Sequence, residues 1–360
     1  MKKLFVDIGL QKLVWPKEYG GAGIKTSEIA TFLVRALEEI GRLDPGIGYV
    51  FSGNFSLFTS ITMEPHVNRE LCAEFAPIFC NAKEVKLGSI ILPEYGYLFG
   101  TEKGSVHKRS VRIGAERKGD ELIISGEKLR PATSGGVADL FGVVCATQAG
   151  EIAYALVPTK LEGIKREHFK KSGLASDRNA DVWFDKVRVP KKYVVWSGED
   201  AKYIGEVISW NNLCNSAICV GSMTNVYEVV KNWSTTRIIR DKPLKENPVD
   251  AAVLAEVAGE ISVSRILTYN LARMLDRPEV YGDRWSDKIY TTAGMISLYV
   301  TNSALKVVNR SMEMMASEGW AREGDIEKHW RDVKTIQSCM GGSIPILMDM
   351  ARFFYECKTL

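Results

Sequence analysis

The stretch ADVWFDKVRVPKKYVVWSGEDAKYIGEVISWNNLCNSAICVGSMTNVYEVVKNW, Ala180 to Trp233, contains the change of texture on which the fold turns. Its first part, ADVWFDKVRVP, is a short run rich in β-branched and aromatic residues that closes at Pro190, which predicts a strand. From Tyr203 to Trp233 the apolar residues follow helical periodicity without a proline, which predicts a long helix. Upstream, LGSIILP, SVRIGAE, ELIISGEKL, LFGVVCAT and IAYALVP are further β-rich runs separated by Gly, Asp, Asn and Lys, so a β domain begins near Val85. Downstream, Val249 to Leu275, Ile289 to Ala316 and Val333 to Tyr355 repeat the helical pattern, and with the first they make a four-helix bundle. Lys242-Pro243, Asn247-Pro248, Arg277-Pro278 and Gly319 supply its stops. At the front, Ile29, Phe32, Leu33, Ala36, Leu37 and Ile40 recur at helical spacing between Thr26 and Gly41, with Gly41 as the expected C-terminal stop. The expectation is an α+β multidomain chain: N-terminal helices over 1–84, a middle β-barrel-like domain over 85–198 and the bundle over 199–360.

Composition narrows the function classes. With 360 residues, 46% of them hydrophobic and 25% charged, the chain buries a large core and is not disordered. Its 47 basic and 44 acidic residues nearly balance, unlike the one-sided field of a nucleic-acid binder. The seven cysteines are scattered, with no CxxC spacing, as expected of reduced thiols in a cytoplasmic protein. His66, His107, His168 and His329 never fall at metal-ligand spacing, so no metal site is expected. The start MKKLFVDIGLQKLVW lacks the sustained apolar core of a leader, and no eighteen-residue apolar run predicts a membrane span.

Local strings carry the chemistry, since this domain order serves many functions. WPKEYGGAG (Trp15 to Gly23) resembles the acyl-CoA dehydrogenase string P-x-E-Y-G-G-x-G, and LEEIGRLDPGIG (Leu37 to Gly48) follows in the matching place. The resemblance continues through GSIILPEYG (Gly88 to Gly96), GDELIISGEKL (Gly119 to Leu129), TSGG (Thr133 to Gly136), SGLASDRNADVWFDKVRVP (Ser172 to Pro190) and RDVK (Arg331 to Lys334). It implies a flavoprotein of fatty acid metabolism in which a carboxylate takes the α-proton of an acyl-CoA thioester while the β-hydrogen leaves as hydride to N5 of FAD. It also implies a helical N-terminal domain that is shortened here, since family members carry further helices ahead of the position of Phe5.

The weak acidity of that α-proton demands a positioned, desolvated carboxylate with a raised pKa. In the family the base lies in a Y-E-G-T string, nine residues after the Arg of R-D-x-K; counted from Arg331, that position is Met340, within Cys339-Met340-Gly341-Gly342. Some branches place it on the first bundle helix, one residue before an arginine, and those two positions are Asn211 and Asn212 here. Neither a thioether nor a neutral amide accepts the proton, so the resemblance gives this chain no catalytic base. Cys339 is a thiol with no adjacent His or Lys in the sequence, which favours inert packing over a thiolate base.

The flavin contacts are altered in parallel. The family's T-E-P-G-A-G-S-D loop is matched either by Pro93-Glu94-Tyr95-Gly96 or by Thr101-Glu102-Lys103-Gly104-Ser105, and the second alignment restores the hydroxyls of Thr101 and Ser105. The W-I-T-N-G strand reads Pro131-Ala132-Thr133-Ser134-Gly135, which keeps a hydroxyl at Thr133 and loses the aromatic residue. The R-x-x-F-G string, which in the family reaches FAD from a neighbouring subunit, reads Arg237-Ile238-Ile239-Arg240-Asp241, and the G-G-N-G string reads Ala316-Ser317-Glu318-Gly319. Arg237 keeps a phosphate partner's charge, whereas Asp241 and Glu318 add negative charge beside an anionic cofactor. The implied cofactor-binding residues are Thr133, Ser134, Arg237 and Gly341. A bland reading stands beside each: Thr133 as turn chemistry before Gly135, Arg237 as an exposed bundle arginine. Lys165, Arg166, Lys170 and Lys171 fit either CoA phosphates or a solvated face.

Three functions are open at this point. The first is an FAD-dependent desaturase, or a related enzyme, acting on an acyl-CoA thioester with an unorthodox base. The second is a non-catalytic subunit that supports the flavin site of a complete homologue within a homo- or hetero-oligomer. The third is a flavin-independent binder of CoA thioesters. Acyl chain identity and electron acceptor are not written in any local string.

Overall fold

The computed structural model describes residues 1–93, 104–107, 109–339 and 342–357; for 104, 105, 130 and 131 only the backbone is described. Three helices open the chain, α1 (Ile29–Leu43), α2 (Pro45–Thr62) and α3 (Arg69–Cys80). A β region follows: β1 (Gly88–Ile91), β2 (Gly104–Val106), β3 (Arg109–Val111), β4 (Gly114–Lys118), β5 (Glu121–Ala132), β6 (Leu140–Thr147), β7 (Ile152–Pro158), β8 (Ile164–His168), β9 (Ala180–Pro190) and β10 (Val194–Ser197). Then come α4 (Ile204–Thr236), the hairpin β11 (Ile238–Ile239) and β12 (Lys242–Pro243), α5 (Pro248–Asp276), the short α6 (Pro278–Tyr281), α7 (Asp287–Met315), α8 (Ile326–Ser338) and α9 (Ser343–Tyr355).

The main sheet has the order β10-β7-β6-β4-β5-β9-β8, with β1 and β4 pairing in parallel along successive parts of one edge of β6. Among the described residues β10 and β8 do not pair with each other, so the barrel-like expectation resolves into an open mixed sheet. Its middle strands are apolar on both faces because both are covered. Phe141, Val143, Cys145, Ala153, Ala155 and Val157 enter a core enclosed by the sheet itself. The alternate residues Leu140, Val144, Tyr154 and Leu156 join the core shared with the helices.

Helix α2 runs through the centre of the helical part. Asp44 caps it by accepting from Ile47 N (3.1 Å), Pro45 starts it, and every residue but Ile47 is buried. Such burial of hydroxyl residues is possible because Ser52, Thr59, Ser60 and Thr62 donate back to carbonyls one turn earlier. Gly41 is not the expected stop. Helix α1 continues to Leu43, and Gly41 instead lets α1 lie directly on α4: a Cβ there would stand 2.4 Å from the Ile218 carbonyl oxygen, and one on Gly221 would stand 2.0 Å from that of Glu38. The expected helix Val333 to Tyr355 is also two helices. α8 ends at Cys339, whose backbone is extended (ψ 155°), and α9 begins after Gly342, whose φ of 73° is left-handed. Met340 and Gly341 lie outside the described residues, between the two helices.

Candidate flavin and acyl site

Strand β5 ends at Ala132, and the turn Thr133 to Gly136 that follows is built for tight packing. Ser134 has φ 58°, and its N–H donates to Asp177 Oδ1 (2.7 Å). The other oxygen of Asp177 accepts from Lys171 Nζ (2.8 Å). Asp177 is buried, and desolvation lifts its carboxyl above the usual range against the pull of Lys171 and of the Ser134 N–H. Within this turn Ser134 Oγ is buried with no hydrogen-bond partner among the described residues.

The loop carrying Lys171 and Asp177 is fixed to α8. Leu174 N donates to Asp332 Oδ1 (2.5 Å), and Arg331 Nη1 donates to the Ser172 carbonyl (2.5 Å). Lys328 pairs with Asp332 (2.6 Å), and Ser222 Oγ meets His329 Nδ1 (2.7 Å). The RDVK string is therefore a docking element: Arg331 and Asp332 hold the loop that supports the Thr133 turn.

Helix α2 closes the gap between that turn and the end of α8. A Cβ on Gly53 would contact Thr133 Cγ2 at 3.6 Å. One turn earlier, Tyr49 is buried in the neighbourhood of Thr133, Asp177 and Cys339, and Cys339 donates to the Thr335 carbonyl (3.1 Å). Burial, then the neighbouring Cys339 and Asp177, lift Tyr49 well above the ordinary tyrosine range. Burial likewise pushes the Cys339 thiol up to about 11, so it is a neutral thiol at pH 7 rather than a thiolate.

The residues singled out from sequence fall in three places. Thr133 and Ser134 lie together at this turn, beside Cys339, the residue before Met340. Asn211 is buried on α4, where Asn215 Nδ2 donates to its Oδ1 (3.4 Å) and the Asn215 Oδ1 has no partner among the described residues. The α2 residue Phe55 packs 5.6 Å from Trp210, the neighbour of Asn211, so α2 lies against both the turn and this part of α4. Arg237 is elsewhere: it caps the C-terminal end of α4 and is exposed at the base of the β11–β12 hairpin. Met340, Gly341, Glu94, Tyr95, Gly96, Thr101, Glu102 and Lys103 are outside the described residues, and the Ser105 side chain is not described. The basic cluster does not act as one face: Lys171 pairs with Asp177, Arg166 donates to the Ala138 carbonyl (2.9 Å), and Lys165 lies over the Trp183 ring. Tyr49 and Asp177 carried no signal as site residues. Tyr49 sits in a helix without a motif, and Asp177 reads as one more residue of a turn.

Helices, sheet and helices in this arrangement, with a buried polar turn facing a helix joint, define a class of proteins, and comparison places the chain within it. Residues 201–352 match the family model for the acyl-CoA dehydrogenase C-terminal domain. The chain is 25% identical to cyclohex-1-ene-1-carbonyl-CoA dehydrogenase of Syntrophus aciditrophicus, across 94% of this chain and 78% of that protein. It is 26% identical to cyclohexane-1-carbonyl-CoA dehydrogenase of Geobacter metallireducens, across 94% and 85%. The solved structure of butyryl-CoA dehydrogenase from Megasphaera elsdenii has the same fold, with a TM-score of 0.81 and 19% identity over 98% of this chain and 89% of that one. The chain is thus similar to acyl-CoA dehydrogenases along nearly its whole length, and its residues 201–352 match their C-terminal domain. No helix among the described residues is long and apolar enough to cross a membrane.

Proposed function

We propose that this chain is an FAD-binding member of its family that receives an acyl-CoA thioester between the Thr133 turn and the α8–α9 joint, without the family's carboxylate base. The observation that supports the reading is that the loop holding the Thr133 turn, through Ser134 N and Asp177, is itself fixed to Arg331 and Asp332 of α8, the helix that ends at Cys339. The turn implied to contact flavin and the helix end implied to carry the base meet here, yet the groups described at the junction are a hydroxyl, a phenol and a neutral thiol. Asp177, the carboxylate of the cluster, has both oxygens occupied by Ser134 N and Lys171, which makes it a support for the turn.

The residues present fit a flavin in part. Ser134 Oγ is a buried polar atom in want of a partner, and an unpartnered buried hydroxyl is costly unless a ligand or water meets it. Thr133 and Ser134 would hold the ring system, with Gly341 beside it, and Arg237 would meet a phosphate, supplied to a neighbouring subunit as the resemblance implies. FAD, when bound, supplies the hydride acceptor. This chain's own residues position the thioester and exclude water, and none of those described at the junction takes the α-proton at neutral pH.

A second reading is favoured by Arg237, which is exposed beside the exposed Ile238 and Ile239. In it the chain is a supporting subunit in a hetero-oligomer, and its bundle face completes the flavin site of a homologue that retains Y-E-G-T. Both readings keep three units, 1–84, 85–198 and 199–360, and a cytoplasmic setting. The deciding experiment is the visible absorption spectrum of the protein purified alone and after co-expression with such a homologue, each titrated with acyl-CoA. A flavin that bleaches in the lone protein supports the enzyme; flavin and bleaching only in the co-purified complex support the subunit. A colourless protein in both preparations refutes both readings.

A further inference from the structure

The β2–β3 hairpin takes no part in the site described above, yet its tip is seated among the helices. Val106 pairs with Arg109 across the ladder, and the chain turns at His107, whose φ of 44° is left-handed. The His107 ring stacks on Tyr290 of α7, with 4.3 Å between centroids and 12° between planes. Its Nε2 faces α4 at such close range that a Cβ on Gly205 would stand 2.6 Å away. The buried Arg109 donates from Nη2 to Asp349 Oδ2 of α9 (2.7 Å) and from Nη1 to the His107 carbonyl (3.2 Å). Asp349 also accepts from the Tyr290 phenol (3.1 Å) and from Arg352 Nη1 (2.7 Å), so one carboxylate ties the hairpin, α7 and α9 together. Burial and then the Arg109 charge lower the His107 pKa against the pull of Asp287 and Asp349, which keeps a neutral ring in this socket at pH 7.

His107 is also a wall shared by two clefts. One, of about 530 Å³, lies toward the sheet and the approach to α4, where Val106, Ile152, Glu199 and Lys202 line it. The other, of about 380 Å³, lies toward α9, where Asp287, Tyr290, Arg352 and Phe353 line it. Each alone is of small-ligand size, and withdrawal of the tip joins them into one long slot. This mixed lining suits the arm of a CoA thioester, which alternates alkyl and amide groups, better than a plain fatty chain. Asp349 lies about two turns into α9, the helix that leaves the α8–α9 joint, so the slot borders the proposed thioester site. Val106 and Val111 seat the strands on the core, which makes the tip the part that moves once its polar contacts are broken. Resting on that proposed site, we propose that the β2–β3 hairpin is an autoinhibitory plug: latched by Arg109 to Asp349, it holds the slot closed until an acyl-CoA displaces His107.

Two variants release the tip by different routes. Asp349→Asn removes the charge that Arg109 meets, and Gly205→Ala drives a methyl group against the His107 ring without touching the latch. Hydrogen exchange over 104–111 is followed by mass spectrometry, and binding of acetyl-, hexanoyl- and palmitoyl-CoA by calorimetry. Thermal melts and exchange over β5 and α5 confirm that the rest of each variant is folded. Both variants should exchange the hairpin amides about tenfold faster than the parent or more, the scale set by one hydrogen bond to a charged group. Both should bind the thioester that fits about tenfold more tightly, since apparent affinity scales with the fraction of molecules whose site is open. In the parent, that thioester should itself speed exchange over the hairpin, the reverse of the protection that an ordinary ligand gives. Unchanged hairpin exchange in either variant, or faster exchange with thioester affinity within about twofold of the parent, would overturn the plug and leave the thioester site standing. Protection of the hairpin by the thioester in the parent would do the same. Binding of no thioester by any of the three proteins would refute the thioester site and the plug together.

Discussion

Acid should destabilise this protein through His329, and the size of the effect follows from its surroundings. His329 lies on α8, buried, with Nδ1 at 2.7 Å from Ser222 Oγ. Burial, reinforced by the Lys328 charge and only partly opposed by Asp44, lowers its pKa from 6.5 to about 4. The unfolded chain therefore binds more protons than the folded one between those values. Stability rises with pH through that window, is fully present above about 6.5 and is lost as pH falls toward 4. At about 1.36 kcal/mol per pH unit, the displacement corresponds to roughly 3 kcal/mol, a large part of the margin of an ordinary domain. The perturbation is His329→Asn, which keeps a polar partner for Ser222 and removes the titration. Urea unfolding at pH 7.5, 6, 5 and 4 should show the parent losing about 3 kcal/mol more than the variant across the range. Asp177 and Asp332 titrate in both proteins, so their contributions largely cancel in the difference. Parallel pH curves, separated by a constant amount, would refute the argument.

Three further outcomes are expected. Asp276→Ala should cost about 2–4 kcal/mol in urea unfolding, and Asp276→Asn less, because the Asp276 carboxylate accepts from Ala30 N (2.8 Å), Thr31 N (3.0 Å) and Thr31 Oγ (2.7 Å) and so caps α1 from the end of α5. Arg237→Ala should lower FAD retention on gel filtration without moving the melting temperature, since the side chain is exposed; an unchanged flavin content would remove Arg237 from the phosphate site. Met340→Glu in a flavin-loaded preparation should restore slow bleaching with a fitting acyl-CoA, and no gain across a substrate panel with FAD bound would count against position 340 as the place of the base.

The long elements were legible because their signals are local. The four strings of helical periodicity after Tyr203 and the β-rich runs between Leu87 and Pro190 each report on neighbours within a turn or a pleat. Elements lacking such contrast were missed: β8, IKREH, is mostly charged and exposed, and β10 has only four residues. Gly41 shows a different failure. Glycine after an apolar repeat reads as a stop, but its value here depends on Ile218, which only the packed structure brings against it. The same holds for the site. Thr133 could be named from a string, whereas Tyr49 becomes meaningful only once α2 is known to lie between the β5 turn and the end of α8. The cap that Asp276 gives to α1 has no local trace at all, since α1's own preceding residue, Glu28, makes no side-chain cap.

The contacts that set the position of the α8–α9 joint are separate from the residue type at 340. Asp332 holds Leu174 N, Arg331 holds the Ser172 carbonyl, and Gly173 fits only because it lacks a Cβ, which would lie 2.2 Å from the Arg331 carbonyl oxygen. Each acts one to three turns before Cys339, so the joint is placed by the scaffold. A carboxylate base at such a joint must be desolvated to have a useful pKa, and desolvating a charge opposes folding. Replacing it with a thioether removes that cost and leaves the anchoring contacts intact. If position 340 is the place of the base, a methionine there adds no desolvation cost that would erode the rest of the site. A chain in this state keeps the turn at Thr133 and the exposed Arg237 in place.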